Sequence, residues 1–516
     1  MGEKAEKTAI ERFKSEPLIF ERSSKGRAGV LPPAPDVPSV CPEDVLPAGF
    51  LRGDIEGFPE VSEGDCVRHY TRLSQMNIGV DSAMYPLGSC TMKYNPKVNE
   101  DTSRLSGFSA LHPYQPEELC QGALGLMHEL EGYLCEISGM DAVTLQGAAG
   151  AQGELCGLLM AGAYFRAKGR PRLKVLIPDT AHGTNPASSS LAGFSVVRVA
   201  SGSDGVIHPE DVKKLMDRDT AALLLTNPNT LGLFEENIME IADIVHSKGG
   251  LLYCDGANMN ALMGIMKLGD MGVDLVQMNL HKTFSTPHGG GGPGSGPLGV
   301  KKALVPYLPV PRIRKKGRRF ALDFNKKKSI GRLKAFYGHF SIMVRAYTYI
   351  RLMGYRGLRR ASEMAVLNAN YMKERLKKSY HLPFDRTCMH ECVLSDRLQT
   401  PKGVTTLDIA KRLIDYGFHP PTIYFPFLVQ GAMMIEPTET EGVETLDDFM
   451  EAMEAIAKEA EENPRLLKDA PHTTRISRVD ETWAAREPVL RWTGEKLKIH
   501  SGCSKSSRCK ASRSEE

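Results

Sequence analysis

No stretch of this sequence reaches the roughly 18 consecutive apolar residues that a membrane helix needs, so no spanning segment is expected. The N-terminal run MGEKAEKTAIERFKSEP lacks the apolar core of a secretory leader, and Glu6 stands where N-myristoylation requires Ser or Thr. Charge of one sign is not in excess. The 65 Lys and Arg against 62 Asp and Glu leave a formal +3, which excludes a nucleic-acid or membrane-surface binder by overall charge. The 11 cysteines are odd in number and share no repeated interval. Cys135, Cys156 and Cys254 lie in apolar runs, as reduced, buried thiols of a cytoplasmic protein do. Cys388, His390 and Cys392 alternate, which puts three side chains on one strand face. With no second ligand pair elsewhere, a metal clip is not expected there.

What is present is an ordinary globular composition, 41% hydrophobic and 25% charged, in a chain of 516 residues, enough for about two to three domains. Residues 1–105 read as an N-terminal arm and extension. LPPAPDVPSVCPEDVLP cannot form a long helix, because each Pro fixes φ and removes a donor. The arm either wraps another surface or is a partly disordered leader. Residues 106–345 carry short Val- and Leu-rich runs: LKVLIP (173–178), FSVVRV (194–199), TAALLLT (220–226), GLLYCDG (250–256) and DLVQMN (274–279). Helical patterns at 151–169 and 236–250 lie between them. This alternation predicts an α/β domain with a mostly parallel sheet covered on both faces, whose ligands bind at the carboxyl ends of the strands. A long helical stretch over 342–378 leads into a smaller α+β domain, residues 346–490, with another amphipathic helix at 448–464. Residues 491–516 form a polar, Ser/Lys-rich tail expected to be disordered.

Four features fall at strand ends. GAAGAQGELCG (147–157) opens a helix with small residues, allowing close backbone approach to an anion at a helix N-terminus. Taken singly, it is equally a close helix–sheet contact. PDTAHGTNPAS (178–188) brings His182 to a strand end, for stacking on an aromatic ring or acid–base work. YCDGANMNA (253–261) ends a strand in Asp255, whose burial calls for a cationic partner such as a protonated pyridine nitrogen. An Asx turn is the plainer alternative. NLHKTFSTPHGGGGPGSGP (279–297) places Lys282 before glycines that permit positive φ, a setting for a lysine nucleophile toward carbonyls. Phosphate loop, histidine, aspartate and lysine in that order follow the logic of an aspartate-aminotransferase-like pyridoxal 5'-phosphate (PLP) enzyme.

The longer wording narrows this. MYPLGSCTMKYNP (84–96), HPYQP (112–116), GAQGE (150–154), HGTNPA (182–187), DGANMNA (255–261), NLHKTFSTPHGGGGPG (279–294), SIGRLKAFYGHF (329–340) and MIEPTETE (434–441) together resemble the P-protein of the glycine cleavage system, in the lysine-bearing subunit of its two-subunit form. The resemblance spans about residues 65–460. It implies the type I PLP fold and a Schiff base on Lys282. It also implies decarboxylation of glycine with transfer of the aminomethyl group to the lipoyl arm of an H-protein. The implied assembly pairs this chain with a homologous, lysine-lacking subunit 1 as a heterodimer of heterodimers, with a T-protein downstream. By role, Asp255 would pair with the ring nitrogen and His182 stack on the ring. Ala149, Gly150 and Ala151 would face the phosphate and Thr226 the phenolic oxygen. His281 and Thr283 flank the lysine, and Ser89, Thr91 and Lys93 are candidates for the substrate carboxylate. One departure stands out: GAAGAQGE has Ala149 where a polar residue before Gly150 is expected, which leaves more of the phosphate to the backbone. The basic run 312–328 would steer an acidic lipoyl carrier, or be a solvated loop or a contact with the partner subunit. The alternative is another type I PLP enzyme, an aminotransferase or amino-acid decarboxylase.

Overall fold

Apolar residues at consecutive positions belong to strands covered on both faces, and Thr220–Thr226 is buried at every residue. The computed structural model describes residues 16–53, 55–289 and 294–492. The expected disordered tail therefore falls, from 493 on, outside the described residues, as do the first 15 residues of the arm and 290–293 of the glycine run. A helix Glu63–Gln75 (α1) and then Gln121–Ser138 (α2) lead into the sheet. Its strands are Ala142–Thr144 (β1), Lys174–Pro178 (β2), Ser195–Val199 (β3), Thr220–Thr226 (β4), Leu251–Gly256 (β5), Leu275–Met278 (β6) and Leu298–Val300 (β7). Their spatial order is β1-β7-β6-β5-β4-β2-β3, and β7 runs antiparallel to both neighbours while β2 to β6 pair in parallel. The helices Gly150–Ala167 (α3), Thr184–Leu191 (α4), Pro209–Leu215 (α5) and Ile238–Ser247 (α6) fill the crossovers.

Strand side chains alternate between faces, and the two cores divide them accordingly. Leu223, Leu225, Leu252, Cys254 and Val276 point into one core, against α2 and α6. Ala222, Leu224, Tyr253 and Leu275 point into the other, against α3. After β6 come a one-turn helix, Leu280–Thr283 (α7), and a hairpin of Arg312–Lys316 (β8) and Arg319–Asp323 (β9), turned at Gly317 with φ +60°. The expected long helix is Phe340–Leu376 (α8), interrupted at Gly354, where φ 56° and ψ −174° end one helix and begin the next.

Cys392–Ser395 (β10), Thr406–Asp415 (α9), Thr422–Ile423 (β11), Ala432–Ile435 (β12) and Val443–Glu462 (α10) complete the chain's second unit, an antiparallel sheet in the order β10-β12-β11 under helices. Its core takes Ala369, Met372 and Leu376 from the end of α8, and also Met84 from far upstream. Leu87 bridges to Ile435, so residues 84–96 lie between the two units. Among the described residues, no helix is long and apolar enough to cross a membrane.

Candidate active site

The strand register sets the floor of the site. Thr226 on β4 pairs with Asp255 on β5, and Asp255 with Gln277 on β6, so three polar side chains end three adjacent apolar strands. Asp255 is 2% exposed. It accepts hydrogen bonds from Asn185 Nδ2 (3.2 Å), Gln277 Nε2 (3.1 Å) and the Ala257 N–H (3.0 Å). None of these donors is charged, so a cation brought to the carboxylate would complete its pairing. Glu154, one turn into α3, is also buried. Burial, and then the Asp255 charge, push its carboxyl up to about 8. Asn185, Thr184 and Ser188 face it, yet neither of its oxygens has a hydrogen-bond partner. A neutral acid there spares the floor a second negative charge.

The first turn of α3 is held close by what its glycines lack. A Cβ on Gly150 would lie 2.3 Å from Asn279 Oδ1 and 2.9 Å from Gln277 Nε2. One on Gly153 would lie 2.5 Å from the Gly296 carbonyl oxygen. The buried Tyr253 hydroxyl donates to the Gly153 and Glu154 carbonyls at 3.2 and 3.0 Å. Ala149 is the extended N-cap, and the Ala148 N–H is taken by Gln152 Oε1 at 2.8 Å. The N–H groups of Gly150 and Ala151 are first-turn donors, which a helix leaves unpaired.

Lys282 follows on α7, partly buried, with Nζ donating to the Ser89 carbonyl at 2.8 Å. His182 stands after β2. Its Nδ1 accepts the Thr184 N–H at 3.2 Å, and its ring meets Phe425 edge-on at 5.5 Å. Burial, then the Lys282 charge, lower its proton affinity, with Asp255 opposing. His281 turns elsewhere: its Nδ1 accepts the Ser295 N–H at 3.2 Å, and it lines a cavity of about 310 Å³ shared with Tyr85, Thr91 and His288. Burial, chiefly, brings its imidazole down to about 3. Thr226 Oγ1, Asn185 Oδ1, Gln277 Oε1, Asn279 Oδ1 and Thr283 Oγ1 are buried without a protein partner. Native interiors rarely leave such atoms unpaired. A polar ligand with an anionic end at α3 and a cationic ring atom at Asp255 fits these residues.

Proteins of similar sequence show the family. The family model described as "Glycine cleavage system P-protein" matches residues 44–323, and "Glycine dehydrogenase, C-terminal domain" matches 361–472. A relative from Caldanaerobacter subterraneus subsp. tengcongensis is 59% identical, over 92% of this chain and 98% of its own length. One from Exiguobacterium sibiricum is 60% identical, over 94% and 98%. Both are named "Probable glycine dehydrogenase (decarboxylating) subunit 2". This chain belongs to the glycine cleavage system P-protein family. Among solved structures, the fold of this P-protein family member is similar to that of a glycine decarboxylase (P-protein) in inhibitor-bound form. The TM-score is 0.69 at 22% identity, covering 80% of this chain and 94% of that one. An aspartate aminotransferase from Thermus thermophilus matches at TM-score 0.54 and 16% identity, covering 73% and 99%. The fold is that of the type I PLP enzymes.

Within this P-protein frame, two expectations change. Lys93 is no free donor for a carboxylate. Its Nζ is buried and donates to Glu439 Oε1 (2.7 Å), Asn260 Oδ1 (2.9 Å) and the Thr283 carbonyl (2.9 Å). Burial opposes its charge, but Glu439 first and Tyr349 next outweigh it, and its proton affinity is raised. It braces three segments. The alternation at 388–392 is not a strand face either, since β10 begins only at Cys392. Cys388 and Cys392 enter the second core, while His390 turns toward Glu391 and Glu436. Thr91 donates to Glu436 Oε1. The site also recruits Asn185, Gln277, Glu154, Glu391 and Glu436. Of these, Gln277 was visible as a polar residue inside an apolar run; Glu154, Asn185 and Glu436 lie within the quoted motifs without a role to be read from them, and Glu391 carried no local signal.

Proposed function

We propose that this chain is the lysine-bearing subunit of a two-subunit glycine dehydrogenase. It carries PLP covalently on Lys282, decarboxylates glycine and passes the aminomethyl group to the lipoyl arm of an H-protein. The observation that carries this is the registered row Thr226, Asp255 and Gln277, with Lys282 just beyond it and the N-terminus of α3 alongside. PLP, when bound, supplies a ring that accepts the electron pair left as CO2 departs from glycine. Asp255, gripped by two amides and a peptide N–H, holds a proton on the ring nitrogen. Gly150 and Ala151, after the Ala149 cap, offer N–H groups and the positive helix end to the phosphate. Thr226 Oγ1 is the donor for the phenolic oxygen, and His182, neutral, is the aromatic partner for the ring face. His281 and Thr283 fix the orientation of the lysine turn. The Ser89 carbonyl receives the Lys282 amine when it is not engaged.

The relatives' designation as subunit 2 points to a homologous subunit lacking the lysine. The proposed assembly is a heterodimer of heterodimers in the cytoplasm, with a T-protein consuming the product. The test is exchange of labelled bicarbonate into the glycine carboxyl group, using this chain co-expressed with its lysine-lacking homologue. Exchange should need both chains and rise with lipoylated H-protein. It should vanish in Lys282→Ala together with the visible absorbance of the bound cofactor. Carrier-independent turnover of larger amino acids by this chain alone would instead indicate an aminotransferase or a different decarboxylase.

A further inference from the structure

A second set of buried titratable groups faces Lys282, from the far end of the sequence. His390 and Glu391 are fully buried and Glu436 is 1% exposed. His390 Nε2 lies 4.0 Å from Glu391 Oε2 and 4.0 Å from Glu436 Oε1, and neither imidazole nitrogen has a hydrogen-bond partner. The pair grips the 84–96 segment. The Ser89 N–H donates to Glu391 Oε2 at 2.8 Å, and the Thr91 hydroxyl donates to Glu436 Oε1. The other end of Ser89 holds Lys282, whose Nζ donates to its carbonyl at 2.8 Å. Ser89 sits at φ 61°, a left-handed conformation that a serine keeps only when its surroundings impose it. Glu391 and Lys282 thus pull on the two sides of one strained residue.

We propose that Glu391 and Glu436 act as a unit carrying one negative charge, seated on Glu391, which positions the Lys282 amine through Ser89 and keeps the nitrogen at residue 282 protonated; this rests on Lys282 being the cofactor lysine. The charges around the pair agree with this. Burial pushes Glu391 up to about 7, while the Ser89 N–H and the Lys282 charge pull the other way. Burial and then the Glu391 charge drive Glu436 well above its ordinary range, so Glu436 is the neutral member. Burial and the Lys282 charge bring His390 down to about 3, so it stays neutral and cancels nothing. The other groups facing Lys282 are neutral or already committed. Cys90 is held protonated, chiefly by burial, and His182, His281 and His288 are lowered, burial first. Asp255 is engaged by its own three donors. A divalent cation is disfavoured among the trio, because an oxygen of each carboxyl is already bonded to the 84–96 segment and the Lys282 ammonium faces them.

Glu391 is here a positioning residue, and the readout is the visible absorbance of the holoenzyme's cofactor–lysine Schiff base followed across pH. Glu391→Gln keeps the size and an acceptor for the Ser89 N–H but removes the charge. The titration midpoint should fall by about one pH unit. Glu436→Gln removes a neutral acid that competes for the proton, so the midpoint should hold or rise. A Glu391→Gln midpoint equal to wild type overturns the proposal, as does a Glu436→Gln midpoint that falls equally far. Stoichiometric divalent metal in the purified holoenzyme overturns it too. Should Glu391→Gln fail to fold, Glu436→Gln decides alone, by holding or falling. A Lys282→Ala protein that keeps the visible band is a separate outcome. It removes the cofactor assignment on which the step stands.

Discussion

Asp255 and Glu154 are two buried acids on one floor, and their surroundings make them different. Asp255 has three directed donors, whereas Glu154 has none at bonding distance. Asp255→Asn keeps the shape and loses the charge, so glycine-dependent bicarbonate exchange should fall by about 100-fold, with cofactor still bound. Glu154 gives a pH signature. Its folded-state value of about 8 lies above the ordinary 4.5. The stability it contributes is therefore complete below about pH 4.5 and is lost as pH rises through about 8. Glu154→Gln should gain on wild type in Tm as the pH of the apoprotein is raised from about 5 to 9. Parallel Tm curves for the two would remove the claim. At this scale Lys282 and Asp255 were legible, because strand ends and glycines surround them in sequence. Asn185 and Glu391 were not, since their importance lies in partners 70 and 302 residues away.

The elements that aim these residues are set by close approach. β6 and the loop after it meet the first turn of α3 only because Gly147, Gly150, Gly153 and Gly296 present no side chains. A Cβ on Gly296 would lie 1.9 Å from the Ala149 carbonyl oxygen, a backbone contact that cannot swing aside. Gly296→Ala should displace the N-terminus of α3, lowering stability by about 1–3 kcal/mol and weakening PLP binding. Equilibrium dialysis alongside a denaturant melt separates the two effects. The small residues of 147–157 were read as room for an anion or for packing; the structure shows the packing, which sets the start of α3, with the Gly150 and Ala151 N–H groups, beside Gln277 and Asn279. The break in α8 is a different case. Its apolar spacing runs on through Gly354, and Leu358 and Ala361 beyond the break still pack in the same core as Ile342 and Ile350 before it; the second core is reached only at Ala369.

Across the whole molecule, charge and apolar surface are unevenly placed. The basic run 312–328 becomes an exposed hairpin, and part of its charge is satisfied at home: Arg314 and Lys326 both reach Asp323 at 2.6 Å. Lys315 and Lys316 are left outward. Reversing both to Glu should flatten the salt dependence of H-protein turnover without changing exchange at saturating carrier. An unchanged salt dependence would end the docking role. The arm is anchored at its base, where Glu16 is buried among Arg22, His69 and Arg72 and held down to about 2, chiefly by its Arg72 hydrogen bond. Beyond that base, Val30, Leu31 and Phe50 are 75, 77 and 81% exposed. An apolar arm of this kind suits the wrapping of a partner subunit.

Sequence alone determined the parallel sheet, its strands to within a residue at most ends, and the order of small-residue loop, histidine, aspartate and lysine. These are local patterns: a strand buried on both faces must be apolar throughout, and a residue at its end must face the crevice. The tertiary structure decided what stands around Lys282. Ser89, Glu391 and Glu436 come from the arm and the second unit, and no local periodicity records that they meet. They meet because Met84 buries itself in the second unit's core and Leu87 bridges to its sheet. That burial carries the 84–96 segment across the strand ends and sets the Ser89 carbonyl against the lysine.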